Sequence, residues 1–331
     1  STEDRASLSR NNASFALDLG RALHSSTENV IYSPFSISTA LAMTYAGARG
    51  ATEQEMAATM RFELPQERLH PAFNHVDLHL NKFAEGSGPS GGGGFRLHTA
   101  NSIWSQIGLP LDKPFLNVLG ENYGAHVRLA DFAAAPEEAE GLINAWVSDR
   151  TEGKIPKLLD GSVTAETVAV LVNAIYFDAA WKTPFSKGAT QPGTFRRGDG
   201  TSVTAQMMSG SQQTSYGAGD GWEAVQMMYG GAPVSMFLVL PDEGTADAFE
   251  ESLDGAALES IIASTEERQV AITMPKFSFG SSFSLKEALT GLGMEVAFGP
   301  GADFSGILAG GELWIHDVVH KAVIDVDEDG T

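Results

Sequence analysis

Asn29-Val30-Ile31-Tyr32-Ser33-Pro34-Phe35-Ser36-Ile37-Ser38, running on through Ala40-Leu41, Met43, Gly47-Ala48 and Gly50 to Thr52, carries the reading of this chain. A helical stretch follows Ser33-Pro34. Upstream, between Asp4 and Leu23, the apolar residues Leu8, Phe15, Leu17 and Leu23 recur among polar ones at loosely helical spacing. Downstream, Leu69, Phe73, Val76, Leu80 and Phe83 repeat at intervals of three and four within Glu67 to Phe83. The Gly/Ser/Pro tract from Gly86 to Gly94 ends that repeat and reads as a flexible loop.

Beyond the tract, Phe95 to Trp104 reads as a strand and Pro114 to Tyr123 as a helix. Pro136 to Arg150 reads as another helix, with Glu137, Glu138 and Glu140 suited to its N-terminal dipole. Val168 to Phe177, Trp222 to Met228, Val234 to Leu240, Gln269 to Phe279 and Leu313 to Val326 are rich in Val, Ile and Phe, which predicts strands. Ser284 to Met294 inserts one more helix. Helices first, then strands with scattered helices, is the pattern of an α+β fold, not of a doubly wound sheet. Neither an internal repeat nor a break in composition divides the chain, so a single domain over residues 1–331 is expected.

The 331 residues are 43% hydrophobic, enough for a substantial core, and 21 Lys and Arg stand against 42 Asp and Glu for a formal charge of −21. Such a surface repels phosphate and anionic lipid, which argues against nucleic acid as a partner. With no cysteine, disulfides, zinc thiolate sites and a cysteine nucleophile are excluded, while the redox compartment stays undecided. No run approaches the ~20 apolar residues of a membrane helix, so no membrane role is expected. Ser1 to Arg10 lacks the order of a signal peptide, which fits a mature secreted form or a cytoplasmic protein.

Two motifs resemble catalytic signatures. Gly88-Pro89-Ser90-Gly91-Gly92 matches the nucleophile elbow in letters, but a real elbow needs a strand leading in and a helix leading out, and a Gly/Ser/Pro tract offers neither. His316-Asp317-Val318-Val319-His320 has the spacing of a zinc-protease pair, which works only when a helix puts both histidines on one face. The alternating set Val318, Val323 and Ile324 makes this segment a strand, and His320 is better read as a hydrogen-bonded core residue. Composition and pattern therefore point to no catalytic residue, metal or cofactor.

Five further blocks, in order along the chain, join the opening stretch: Leu171-Val172-Asn173-Ala174-Ile175-Tyr176-Phe177 with Trp181, Met274-Pro275-Lys276-Phe277, Ala302-Asp303-Phe304-Ser305-Gly306-Ile307, His320-Lys321-Ala322, and Glu328-Asp329-Gly330-Thr331. Together they resemble the serpins, a family of serine protease inhibitors. The resemblance implies three β-sheets with roughly eight to nine helices, and a large central sheet that accepts a reactive loop as an added strand. Val168 to Trp181 and Leu313 to Val326 would be its two central strands. In the family a protease cleaves the exposed loop, becomes trapped as an acyl-enzyme, and is carried away as the loop inserts. A non-inhibitory serpin acting as a binding or chaperone module is the alternative, and a hydrolase using Ser90 is the third reading.

The resemblance assigns residues by position. Ser33, Ser36, Asn173 and His320 match the shutter, a polar network beneath the central strands. Trp181, Lys276 and Glu328 match the breach, where the loop enters first, with Lys276 and Glu328 expected as a surface ion pair. Glu328, Asp329, Gly330 and Thr331 match the hinge of the reactive loop. The implied partners are a target serine protease and the chain's own C-terminal fragment of roughly forty residues, without which apolar surface and sheet edges would be exposed. A monomer is expected. No glycosaminoglycan partner is, because the helix bearing Arg68, His70, His75, His79 and Lys82 also carries Glu67 and Asp77. The resemblance favours an extracellular protein, with a cytoplasmic one as the alternative; the sequon Asn12-Ala13-Ser14 adds little.

Overall fold

The computed structural model describes residues 1–24, 28–86, 95–124, 127–310 and 313–331. The Gly88–Gly92 motif with Ser90 lies outside these residues. In chain order the elements are α1 (Thr2–Leu23), α2 (Pro34–Tyr45), α3 (Gly50–Thr59), α4 (Gln66–Gly86), β1 (Phe95–Gln106), α5 (Lys113–Tyr123), β2 (Arg128–Ala130), α6 (Pro136–Arg150), β3 (Ala169–Ala179), β4 (Gln191–Arg196), β5 (Ser202–Gly219), β6 (Trp222–Met228), β7 (Ser235–Pro241), α7 (Ala246–Ser252), α8 (Gly255–Ala263), β8 (Glu266–Pro275), β9 (Phe277–Ser284), α9 (Lys286–Gly291) and β10 (Val318–Val326).

Local chemistry accounts for the decisive elements. Ser1 caps α1 through a capping box with Asp4, whose carboxylate also holds Arg68 on α4. Ser33 is the N-cap of α2 and Pro34 its first residue, a position where a missing N–H matters least. Every residue of α2 from Ser36 to Tyr45 is buried, so this helix has no solvent face and serves as the central post of the core.

The first sheet has the order β2-β1-β3-β10-β9. β1 and β3 run antiparallel in unbroken register from Phe95↔Ala179 to Ser105↔Ala169. β10 pairs with β3 in parallel, but only from Val318↔Leu171 to Lys321↔Ala174. On its other side β10 is bonded to β9 along its length, from Val319↔Ser284 to Val326↔Phe277. Above Ala174 and Lys321 the two central strands therefore part, and a cleft of ≈ 1010 Å³ opens between them. The sheet's inner face rests on α2 through Leu171, Ile103 and Val318, and its outer face is covered by α6 through Val172, Ala174 and Trp104.

In the second array β4, β5, β6 and β7 lie in order and β8 pairs with β5. The expected second and third sheets join through β5, which bonds to β4 at its start, to β8 along its middle and to β6 at its end. The sequence pattern misses β5, because Ser, Gly and Gln dominate its eighteen residues; pairing with β4, β8 and β6 along its length overrides low strand propensity. Gln269 to Phe279 divides at Lys276, giving β8 to the second array and β9 to the first. Leu313 to Asp317 is outside β10, whose strand begins at Val318, and α9 is shorter at both ends than the expected Ser284 to Met294. Val323 faces outward and is 40% exposed, while Val318 is buried.

Gly47 joins α2 to the 302–308 segment. Its carbonyl accepts from Gly306 N–H at 3.1 Å, and a Cβ on Gly47 would lie 2.1 Å from Ile307 Cγ1 and 2.9 Å from its backbone nitrogen. Gly47→Ala is expected to lower the stability of the folded chain by about 1–3 kcal/mol, the usual range for overpacking a core. The urea midpoint against wild type measures this, and an unchanged midpoint contradicts it.

Candidate functional site

Directly below the point where β3 and β10 part, one register rung crosses the sheet: Asn101 on β1, Asn173 on β3 and His320 on β10. All three side chains meet at the inner face against the start of α2. Ser33 N–H donates to His320 Nε2 at 3.0 Å. Nε2 must then be the unprotonated nitrogen, so the proton sits on Nδ1 and is donated to Asn173 Oδ1 at 2.8 Å. Asn173 Nδ2 in turn donates to Ser36 Oγ and to Asn101 Oδ1, both at 2.6 Å. Asn173 and His320 are almost completely buried, yet each polar atom of their side chains has a partner. Burial pushes the His320 imidazole down to about 4, which keeps it neutral as the network requires.

The structure thus brings Ser33, Ser36, Asn173 and His320 together, with one refinement. Ser33 reaches His320 through its backbone, while its hydroxyl caps α2 by accepting from Ser36 N–H at 3.4 Å. Asn101 was not singled out from the sequence. The available signal was an amide in the strand Phe95 to Trp104, which became informative only when pairing set it beside Asn173.

At the mouth of the cleft, Lys276 Nζ and Glu328 Oε2 are 2.6 Å apart. The expectation of a surface pair needs correction, because the Glu328 side chain is 5% exposed against 38% for Lys276. Its second oxygen accepts from Thr190 Oγ1 at 2.6 Å, so the carboxylate enters the interior with both oxygens bonded. Lys276, then Thr190, hold its pKa down at about 2. Trp181 stacks on Tyr229 with centroids 4.6 Å apart, and its Nε1 donates to the Asp327 carbonyl at 2.9 Å.

The hinge residues turn back at this point. Asp327 N–H donates to the Gly330 carbonyl, and its Oδ1 accepts from the backbone of Asp329 and Gly330. Thr331 then exchanges both backbone hydrogen bonds with Ala179, at 2.9 and 3.0 Å, and shares a 2.7 Å bond with Tyr229 through its hydroxyl. This is one antiparallel rung added to the free edge of β3, at the upper end of the cleft. Only glycine fits before it, since a Cβ on Gly330 would lie 2.2 Å from the Ala179 carbonyl oxygen.

The remaining candidates do not converge on a second site. His316 is exposed and His320 faces the core, and among the described residues no group of His, Cys, Asp and Glu could hold a metal. On α4, His70 is buried with Nδ1 2.7 Å from Tyr123 Oη, and Arg68 is engaged by Asp4. Asn12 of the sequon accepts from Ser38 Oγ at 2.6 Å.

Fold and site define a class: an α+β protein whose central sheet has an incomplete seam, with a polar rung beneath it and Thr331 bonded to β3 at its upper end. A family model for serpins, described as serine protease inhibitors, matches residues 10–331. An uncharacterised serpin-like protein of Thermococcus kodakarensis is 37% identical over 318 residues, spanning 96% of this chain and 72% of its own. The leukocyte elastase inhibitor of Sus scrofa is 35% identical over 336 residues, spanning 98% and 86%. The solved structure of ovalbumin from emu (Dromaius novaehollandiae) aligns with a TM-score of 0.89 at 27% identity, covering 98% of this chain and 87% of that one. The chain belongs to the serpin family.

Two buried histidines make stability depend on pH. His320 and His70 are both lowered to about 4 in the fold, chiefly by desolvation, against about 6.5 when unfolded. Below 6.5 the unfolded chain takes up the protons that the fold refuses. Stability is therefore complete above pH 6.5 and falls as pH drops towards 4, by on the order of 3 kcal/mol for each histidine. Urea midpoints at intervals across that window should show the slope, and His320→Gln should remove part of it. A flat profile would exclude buried neutral histidines.

Proposed function

We propose that this chain is the body of a serine protease inhibitor that captures its target by taking its own cleaved loop into the cleft between β3 and β10. The observation that carries the reading is the rung between Thr331 and Ala179, which sets the hinge antiparallel to β3 at the upper end of that cleft. Below it, the facing edges of the two central strands are free to bond a further strand, and completing the ladder is the driving force. The protease's serine attacks a loop carbonyl and the peptide amine leaves; insertion then removes the acyl-enzyme from the geometry in which water would release it. The inhibitor contributes no catalytic group.

The same reading gives each cluster a task. Ser33, Ser36, Asn101, Asn173 and His320 form the shutter, whose His320–Asn173 bond crosses the seam and is exchanged as the strands separate. Trp181, Lys276 and Glu328 form the breach that holds the mouth. Glu328 to Thr331 form the hinge. The outer edges of β7 and β8 have no partner strand among the described residues, and β7 carries Leu240 at 66% exposure. Those edges are where a C-terminal segment of roughly forty residues would pair, within a monomer.

Incubating the full-length protein with a set of serine proteases tests the function: an SDS-resistant complex is expected. Loop cleavage without a complex would point to a non-inhibitory binding or chaperone role, and turnover of peptide substrates to a hydrolase using Ser90. Thr331→Arg tests the mechanism. A guanidinium in place of the hydroxyl beside Tyr229 faces a burial penalty of several kcal/mol, enough to slow insertion by orders of magnitude. Acylation should be nearly unaffected, so the variant should be cleaved as a substrate. Undiminished covalent complex at unchanged stoichiometry would show that insertion at this residue is not the inhibitory step.

A further inference from the structure

The segment after α6 passes over the outer face of the first sheet and is tied to both sides of the cleft. It begins with a left-handed pair, Glu152 at φ 50° and Gly153 at φ 76°. Glycine adopts that conformation freely; a glutamate there is strained. The strained turn places the Glu152 carboxylate 3.0 Å from Arg96 on β1, which also binds Asp178 on β3. Ile155, Leu158 and Leu159 then bury themselves in the core beneath α6. On the opposite side, Lys154 Nζ lies 3.8 Å from Asp325 on β10, and Lys321 Nζ of β10 donates to the Lys157 carbonyl at 2.9 Å.

The ion pairs on the two sides are equally exposed, Arg96 and Glu152 at 48% and 44%, but the β1 side has a further attachment through α6. On the β1 side α6 is fastened by a ladder in which the Arg128 guanidinium lies 5.6 Å from the Trp104 ring and 4.9 Å from Trp146, with Arg150 5.9 Å from the Trp146 ring. Trp104 is buried and Arg128 half-buried, so solvent and salt screen this ladder little. Lys154 and Asp325 are each about half exposed, at 52% and 54%, and so pair weakly. Parting of the central strands has to break the Lys154–Asp325 pair or carry the segment along with β10.

We propose that residues 151–160 form an electrostatic clasp across the cleft, in which the Lys154–Asp325 pair sets how fast the cleft takes up a strand and makes that rate depend on salt. The inference rests on the reading of the cleft as a strand acceptor. Its ligand is ionic strength: dilute salt keeps the clasp shut, and added salt loosens it. Lys321 bonds to a neutral carbonyl, and its tie is insensitive to exchange of the charges at 154 and 325.

The test is the uptake rate of a short acetylated peptide of alternating Thr and Ala by the full-length protein, followed by tryptophan fluorescence with Trp181 at the mouth as reporter. Wild type should speed up as NaCl rises from about 20 to about 500 mM, where the screening length shrinks severalfold. Lys154→Met and Asp325→Asn should each be about fivefold faster at low salt and lose the salt dependence. The exchanged pair, Lys154→Asp with Asp325→Lys, should restore the slow, salt-accelerated rate, which a role in packing alone would not do. Single variants as slow and salt-sensitive as wild type overturn the clasp, as does an exchanged pair as fast as the singles. If those variants are unaffected while wild type still traps a protease, the clasp falls and the inhibitor reading stands. If wild type takes up no peptide and traps no protease, the acceptor reading falls and the clasp with it.

Discussion

The seam between β3 and β10 governs the architecture. The β1–β3 and β9–β10 ladders run the length of their strands, but this parallel pair is joined from Leu171 to Ala174 and then open. Open backbone edges at the centre of a sheet are unfavourable compared with a filled ladder, and under the proposed function that difference is what insertion of a strand would release. Around the seam lie α2 beneath it, α6 and residues 151–160 above it, and the turn from Asp327 to Gly330 at the top.

Polar chemistry at the seam fixes a single register. An apolar rung would pack as tightly in one register as in several, whereas the Asn101–Asn173–His320 rung is satisfied in a single arrangement of donors and acceptors. The requirement extends to protonation, since a charged His320 would turn Nε2 into a donor facing another donor at Ser33. Glu328 follows the opposite course. It stays ionised inside the protein because Lys276 and Thr190 occupy both its oxygens, and the chain segment leading to the hinge is thereby anchored.

The second array matters to the first through the mouth of the cleft. Tyr229 follows β6, yet it stacks on Trp181 and bonds Thr331. Lys276 occupies the single residue between β8 in one array and β9 in the other. Residues 327–331 therefore meet side chains of both arrays, which also share an apolar core in which Phe95, Phe177 and Val326 of the first sheet pack with Met208, Met227, Ile272 and Met274 of the second.

The sequence by itself determined the class of fold, the helical front of the chain, most of the strands and, through ordered blocks of resemblance, the family and the residues of the seam. Those are matters of local periodicity, caps and short motifs, which act over a few residues and are written in the chain directly. The tertiary structure decided the rest. β5 is a strand because its neighbours bond it, not because Ser, Gly and Gln favour one. Asn101 joins Asn173 and His320 because antiparallel pairing brings it opposite Asn173, seventy-two residues away. Glu328 is buried because two distant partners satisfy its oxygens. Each of these depends on contacts between residues far apart in the chain, and such contacts exist only once the strands have found their register.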